Sequence, residues 1–304
     1  TLGGGLRFVV DRVLAGRTIR RAVEEWRPEV IHANGIRAGL LIPGAICRSI
    51  PVCLHDRDLR VPQWAVRRMT RRARCVVAIS ECVAAKWAST TVDVRVIPNG
   101  LDLDAWNRAA DAPLSNAVKG APVLILVADL MPWKRHTVFL DALAETRRRA
   151  PDASGLVVGR CRDEAGQGYL AALRQHAAAL GLADAVRFVT DAASVAPWIA
   201  AADILVSVAD QEPFGRTVVE ALALGKPVVA VDACGPGEVL AGCPAATLTG
   251  PMAHDVAAGI GCWLDPQQRR QADRAARDWA ERYRLDLLAE AMAETFSHLI
   301  ETDA

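Results

Sequence analysis

Short, uninterrupted apolar runs alternate along this chain with longer segments whose apolar positions recur every three or four residues. The runs are Val30 to His32, Pro51 to His55, Cys75 to Ile79 and Val94 to Ile97, then Pro122 to Val127, Gly155 to Val158, Val186 to Val189, Ile204 to Val208 and Pro227 to Val231. Runs of this length, apolar on both faces, predict strands of a buried parallel sheet. The periodic segments predict the intervening helices: Leu6–Trp26, Ile36–Arg48, Trp64–Arg74 and Glu81–Ala88 in the first half, and His136–Arg149, Ala171–Leu180, Ser194–Ala201 and Thr217–Leu224 in the second. A final helical stretch, Pro266–Ile300, carries a break near Arg284. The rhythm is β-α throughout, so the fold class is α/β, with helices covering parallel sheets.

The rhythm lapses once, at Asp111–Lys119, a polar stretch containing Pro113. A linker is expected there. It divides the chain into residues 1–115 and 116–285, each doubly wound, with a terminal helix over 286–304. The 304 residues and 52% hydrophobic content allow two cores of ordinary size, and the 23% charged content argues against disorder. No apolar run approaches the roughly 20 residues of a membrane span, and no signal peptide is visible at the start. The eight cysteines include no C-x-x-C pair. They read as reduced thiols of a cytoplasmic protein rather than as a metal site.

Net charge is +1 but unevenly spread. Residues 1–118 hold 18 Lys and Arg against 11 Asp and Glu; the remainder hold 18 against 24. The densest basic stretch is Arg67, Arg68, Arg71, Arg72 and Arg74, beside Trp64. A solvated helix face is its bland reading. A peripheral contact with an anionic membrane surface, at its inner face, or with a phosphorylated acceptor is the sharper one. No aromatic-and-basic motif for nucleic acid accompanies the charge.

The chemistry concentrates in Glu212-Pro213-Phe214-Gly215-Arg216-Thr217-Val218-Val219-Glu220. An apolar strand leads in and a helix leads out. Pro213 and Gly215 keep Glu212 outside the helix, at the strand's carboxyl end. Backbone N–H groups at Phe214, Gly215 and Arg216 then lie at a helix start, which suits an anion. One carboxylate suits a sugar ring and the other a ribose diol. The string, with Ala221 and the following Gly225-Lys226-Pro227-Val228-Val229-Ala230, resembles the E-x7-E element of the retaining glycosyltransferases of family 4, which have the GT-B fold.

That resemblance implies two Rossmann-like domains facing a cleft, with the terminal helix over 286–304 returning to the first domain. It also implies metal-independent transfer of a sugar from a UDP- or GDP-linked donor to an unidentified acceptor, with no cofactor. By motif, Lys134 matches the family's lysine aimed at the donor diphosphate, while Asp129 stands where the family usually has Arg. A carboxylate beside a diphosphate is repulsive, so Arg135 or Arg216 is expected to supply the missing charge. His55, ending its strand, resembles the family's strand-end His. Lys134, Glu212 and His55 are thus the expected catalytic residues; Arg135, Phe214, Gly215, Arg216, Thr217 and Glu220 are the expected donor-binding residues. Asp56-Arg57-Asp58 mimics a D-x-D metal element but has no second ligand cluster near it in sequence. Cys234-Gly235-Pro236-Gly237-Glu238 resembles a Gly-rich turn closing on the donor. The family's first strands have no counterpart here, so the first domain is expected to be incomplete. A sugar-nucleotide epimerase or phosphorylase of the same fold, and a non-catalytic nucleotide-sugar binder, are the alternatives.

Overall fold

The computed structural model describes residues 2–114 and 120–303 and divides into two compact units, residues 1–98 with 288–304, and residues 99–287. The first contains α1 (Leu2–Trp26), β1 (Ile31–Asn34), α2 (Ile36–Leu41), α3 (Ile46–Ser49), β2 (Val52–Asp56), α4 (Gln63–Thr70), β3 (Cys75–Ala78), α5 (Glu81–Ala84) and β4 (Asp93–Val96). The second contains α6 (Leu103–Ala110), β5 (Val123–Val127), α7 (His136–Arg147), β6 (Ser154–Val158), α8 (Glu164–Ala179), β7 (Val186–Val189), α9 (Ala196–Ala201), β8 (Ile204–Ser207), α10 (Arg216–Ala223), β9 (Val228–Val231), α11 (Cys234–Leu240), β10 (Ala246–Thr249), α12 (Ala253–Gly261) and α13 (Pro266–Ala280). Helix α14 (Leu285–Asp303) ends the described chain.

The first unit is a four-stranded sheet in the order β1-β2-β3-β4, with every pair parallel. Strands β2 and β3 are buried at every position, as their unbroken apolar runs require. One core gathers Leu54, Val76 and Trp87 with Ile36 and Leu40 of α2 and Val66 and Met69 of α4. A second core joins Cys53, Cys75, Val77 and Ile97 to Met292 and Leu299 of α14. The sheet is therefore covered on both sides. The segment expected as one helix over Ile36–Arg48 is two, because Pro43 cannot donate to the helical ladder.

The second unit is a six-stranded parallel sheet in the order β10-β9-β8-β5-β6-β7. The chain runs outward from β5 to β7, then returns to β8 beside β5 and runs outward the other way. The strand order reverses between β5 and β8, and at such a point the loops at the strands' carboxyl ends diverge and open a crevice. Sequence patterning missed α6, β10, α11 and α12. Cys234–Glu238, expected as a turn, is the start of α11.

The division between units falls at Pro98 and not in the expected 111–119 linker, part of which lies outside the described residues. The reason is α6. Asp102 caps it by accepting from the Ala105 N–H at 2.9 Å. Trp106 on this helix donates its indole N–H to the Glu220 carbonyl at 2.9 Å. Helix α6 is thereby packed with the second unit. Six cysteines, Cys47, Cys53, Cys75, Cys161, Cys243 and Cys262, are free thiols. The reading of reduced thiols does not extend to Cys82 and Cys234.

Candidate functional site

Two loops build the site, one after β5 and one after β8. The first runs from Asp129 to Arg135 and makes a 3-10 turn at Pro132–Lys134. Arg135 closes that turn in the left-handed region, at φ 56°. Such backbone is uncommon for a residue with a side chain and marks a tightly constrained turn. The second loop runs through Asp210–Gly215, where Gly215 adopts φ 87° and caps α10. Phe214 is buried edge-on against Tyr283, with ring centroids 5.8 Å apart. Gly235 N–H donates to the Glu212 carbonyl at 3.0 Å. A Cβ on Gly235 would stand 2.3 Å from the Phe214 Cα, so only glycine admits this loop.

Between the two loops lies a cleft of about 750 Å³, reached also by the ends of β6 and β7. Lys134, Glu212, Arg216, Thr217 and Glu220 all line it. Lys134 Nζ contacts Glu212 Oε2 directly, and both side chains are largely buried. The Lys134 ammonium also sits 4.0 Å from the Trp133 ring centroid, a cation–π contact. Glu220 is buried on the first turns of α10, where desolvation raises its carboxyl above the usual range and Arg216 opposes that rise. The Arg216 guanidinium lies 3.6 Å from it. Among the described residues, the N–H groups of Gly215, Arg216 and Thr217 have no protein acceptor. They form the positive amino end of α10 beside the cleft.

Asp129, the residue that departs from the family motif, is answered from β6. Arg160 Nε lies 3.4 Å from its carboxylate and Arg162 Nε lies 2.7 Å from it. The arginine bonds outweigh desolvation and hold the Asp129 carboxyl below its usual range. Both arginines line the cleft. Arg135, expected to face the donor, does not line it. Its guanidinium donates to the Pro251 carbonyl at 2.6 Å and to the Val208 carbonyl at 3.4 Å, and it pairs with Asp210. The left-handed backbone at Arg135 turns the side chain under the loops, where it ties them together. Phe214 and Gly215 shape the loop rather than the cleft wall.

His55 belongs to the first unit, at the carboxyl end of β2. It is buried, and neither ring nitrogen has a hydrogen-bond partner. Burial, then Arg57 and His32, lower its pKa to about 4, so the ring is neutral near pH 7. His32 on β1 lies beside it, with ring centroids 5.5 Å apart. Sequence reasoning missed His32, since nothing local joins positions 32 and 55. Asp56 of the D-x-D-like string accepts from the Trp87 indole at 2.8 Å and the Asp58 N–H at 3.1 Å, and pairs with Lys86 at 2.8 Å. Its role is internal.

Residues 4–105 match the family described as Glycosyltransferase Family 4, and residues 108–279 match Glycosyl transferases group 1. The chain is 34% identical over 219 residues to D-inositol 3-phosphate glycosyltransferase 2 of Catenulispora acidiphila, covering 68% of this chain and 51% of that protein. It is 29% identical over 265 residues to the GDP-mannose-dependent alpha-(1-6)-phosphatidylinositol monomannoside mannosyltransferase of Mycolicibacterium smegmatis, covering 80% and 68%. It thus spans about half the length of the first of these relatives. Among solved structures, Anabaena Alr3699/HepE in complex with UDP and glucose aligns with a TM-score of 0.79 and 26% identity, over 94% of this chain and 81% of that one. The fold class is GT-B.

Proposed function

We propose that this chain, which belongs to the group 1, family 4 glycosyltransferases, transfers a sugar from a nucleotide-diphosphate donor bound in the cleft of its second unit. One observation carries this reading: Lys134 and Glu212, from loops 78 residues apart, line one cleft with Arg216 and Glu220 of α10 at the reversal of strand order. A donor diphosphate would draw Lys134 away from Glu212 and engage the free N–H groups of α10. Glu212, released from the ammonium, would accept from the sugar hydroxyls. Glu220, buried on α10 beside Arg216, would take the ribose diol. As the leaving phosphate separates, negative charge grows on it, and preorganised positive groups are worth most there.

The missing motif arginine is supplied in kind by Arg160 and Arg162. Asp129 holds them at the cleft wall, and the pairing cancels the repulsion a bare carboxylate would exert on phosphate. Retention of configuration follows from the resemblance and is part of the proposal. No metal requirement is expected, because Lys134 and the amino end of α10 already bring positive charge to the leaving group. UDP and glucose in Anabaena Alr3699/HepE, and GDP-mannose in the mycobacterial relative's name, support a UDP- or GDP-sugar donor. Both curated relatives carry inositol phosphate chemistry in their names, so phosphorylated polyols are the first acceptors to test. A cytoplasmic location with peripheral contact to an anionic membrane surface completes the proposal. Among the described residues, no helix is long and apolar enough to cross a membrane.

The decisive measurement is nucleotide release and product analysis with UDP- and GDP-sugars, with and without chelator. Turnover undiminished in a Lys134→Ala, Glu212→Ala double variant would sink the assignment. An isomerised sugar nucleotide formed without acceptor would instead identify an epimerase.

A further inference from the structure

A second cleft, of about 550 Å³, lies wholly within the first unit. It is lined by Cys47, Trp64 and five arginines, Arg48, Arg67, Arg68, Arg71 and Arg72. Arg48 lies in the last turn of α3, Arg67 and Arg68 occupy the last turn of α4, and Arg71 and Arg72 follow it. Basic groups at helix carboxyl ends stabilise those ends, and Arg72 does so by donating to the Ile42 carbonyl at 3.1 Å. That role does not account for the others. Among the described residues, Arg48, Arg67, Arg68 and Arg71 have no carboxylate at ion-pair distance, whereas Arg160, Arg162, Arg216 and Arg277 all do. The arginines also converge. The Cys47 thiol, raised by burial, is pulled the other way by Arg72, Arg48 and Arg68 together. At the same cleft, Trp64 leaves 58% of its surface in solvent.

Position separates this cleft from the chemistry. Helix α3 leads through Pro51 into β2, and Arg74 donates its N–H to the Val52 carbonyl just before β3 begins. The cleft therefore sits at the amino ends of β2 and β3. His55 and Asp56 lie at the carboxyl end of β2, about 13 Å of strand away. Ligands of parallel α/β sheets bind at the carboxyl ends, so the arginine cleft is not an extension of such a site.

We propose that this cleft binds a phosphate group, with the headgroup of an anionic lipid as its source. Planar guanidiniums offer paired donors that match phosphate oxygens. With no acid among the described residues that line the cleft, they favour an anion over a zwitterion. An exposed indole beside such a cluster suits the membrane–water interface, and it selects a lipid over a free phosphate. The site rests on the membrane contact proposed above and gives it a place, while the transferase reading stands or falls separately, since the donor cleft belongs to the other unit.

The test uses the full chain and phosphatidylcholine vesicles with or without phosphatidylglycerol, alongside glycerol 3-phosphate in solution. Flotation reads binding. Alkylation of Cys47, read by mass spectrometry against the exposed Cys262, reads occupancy of the cleft. Anionic vesicles are expected to bind and to protect Cys47. An Arg67→Gln, Arg71→Gln variant should lose at least about tenfold in vesicle affinity, and Trp64→Ala should weaken vesicle binding alone. Thermal stabilisation by nucleotide sugars should be unchanged in both variants, which also shows that they fold. Arginine-dependent protection by glycerol 3-phosphate without vesicle binding would keep the phosphate site and overturn the lipid as its source. Cys47 left unprotected by either ligand, or vesicle binding undiminished in the arginine variant, would overturn the proposal.

Discussion

The two cation-rich clefts of this molecule are built on opposite plans. In the second unit every cation among the described residues of the cleft faces a carboxylate: Lys134 meets Glu212, Arg160 and Arg162 meet Asp129, and Arg216 meets Glu220. In the first unit Arg48, Arg67, Arg68 and Arg71 share a cleft with no acid at ion-pair distance among the described residues. Paired charges hold one another in place and exchange partners when a ligand offers both acceptors and donors, as a diphosphate bearing a sugar does. Unpaired arginines attract any anion and discriminate by charge and shape. The first plan suits chemistry, where geometry must be fixed beforehand. The second suits attachment, where long-range attraction matters most.

Breaking the paired plan at its centre should have the largest effect. Lys134→Ala should lower kcat/KM by about 10² to 10³, the range seen when a donor to developing charge is removed. Donor binding measured by calorimetry should fall less. Equal losses in both would mean that Lys134 only binds.

Acid should next reveal what the two units share, a buried histidine in each. Burial lowers His55 and His136 to about 4. The unfolded chain therefore takes up these protons first. The stability they carry is complete above about pH 6.5 and is lost as pH falls through the folded values. Denaturant titrations should show a loss on the order of 3 kcal/mol per histidine between pH 6.5 and 4. A His136→Phe variant should have a flatter profile, and an unchanged slope would remove that histidine from the account.

Arg162→Gln should weaken donor binding by about tenfold, because it removes a charge-assisted bond and exposes Asp129 to the diphosphate. Adding Asp129→Asn should recover part of that loss. A double variant as poor as the single one would show that Asp129 does not oppose the donor. Salt sharpens the comparison most gently. Between about 0.1 and 1 M the screening length falls from about 10 to 3 Å. Vesicle affinity at the arginine cleft should then fall several-fold further than donor affinity in the paired cleft. Parallel declines would erase the distinction.

How much of this was legible depends on how far apart the cooperating residues lie. The paired-glutamate string was readable because its parts are local. Pro213 and Gly215 end one element, and Glu220 sits on the next within the same few residues. Lys134 was readable for the same reason, as part of a strand–turn–helix. Arg135, adjacent in sequence, was misplaced. Its direction depends on a left-handed backbone and on the Val208 and Pro251 carbonyls, 73 and 116 residues away. The answer to Asp129 came from Arg160 and Arg162 on another strand's loop, where sequence offered only Arg135 and Arg216. Residues 103–110, for which no helix was expected, were placed in the first domain because a polar stretch follows them. Their packing, through Trp106 and Glu220, put them in the second.

By itself, then, the sequence determined the alternation of strand and helix, the parallel sheets and the glutamate-bearing loop. Apolar periodicity, proline and glycine act within a few residues of themselves. Tertiary structure alone decided which charges meet, which arginine faces the cleft and which faces the loops, and which histidines lie ring to ring. The reason is the crossover connection. Parallel strands that touch are separated by a helix or more of chain, so the partners of a strand-end residue lie dozens of positions away and are chosen by strand order.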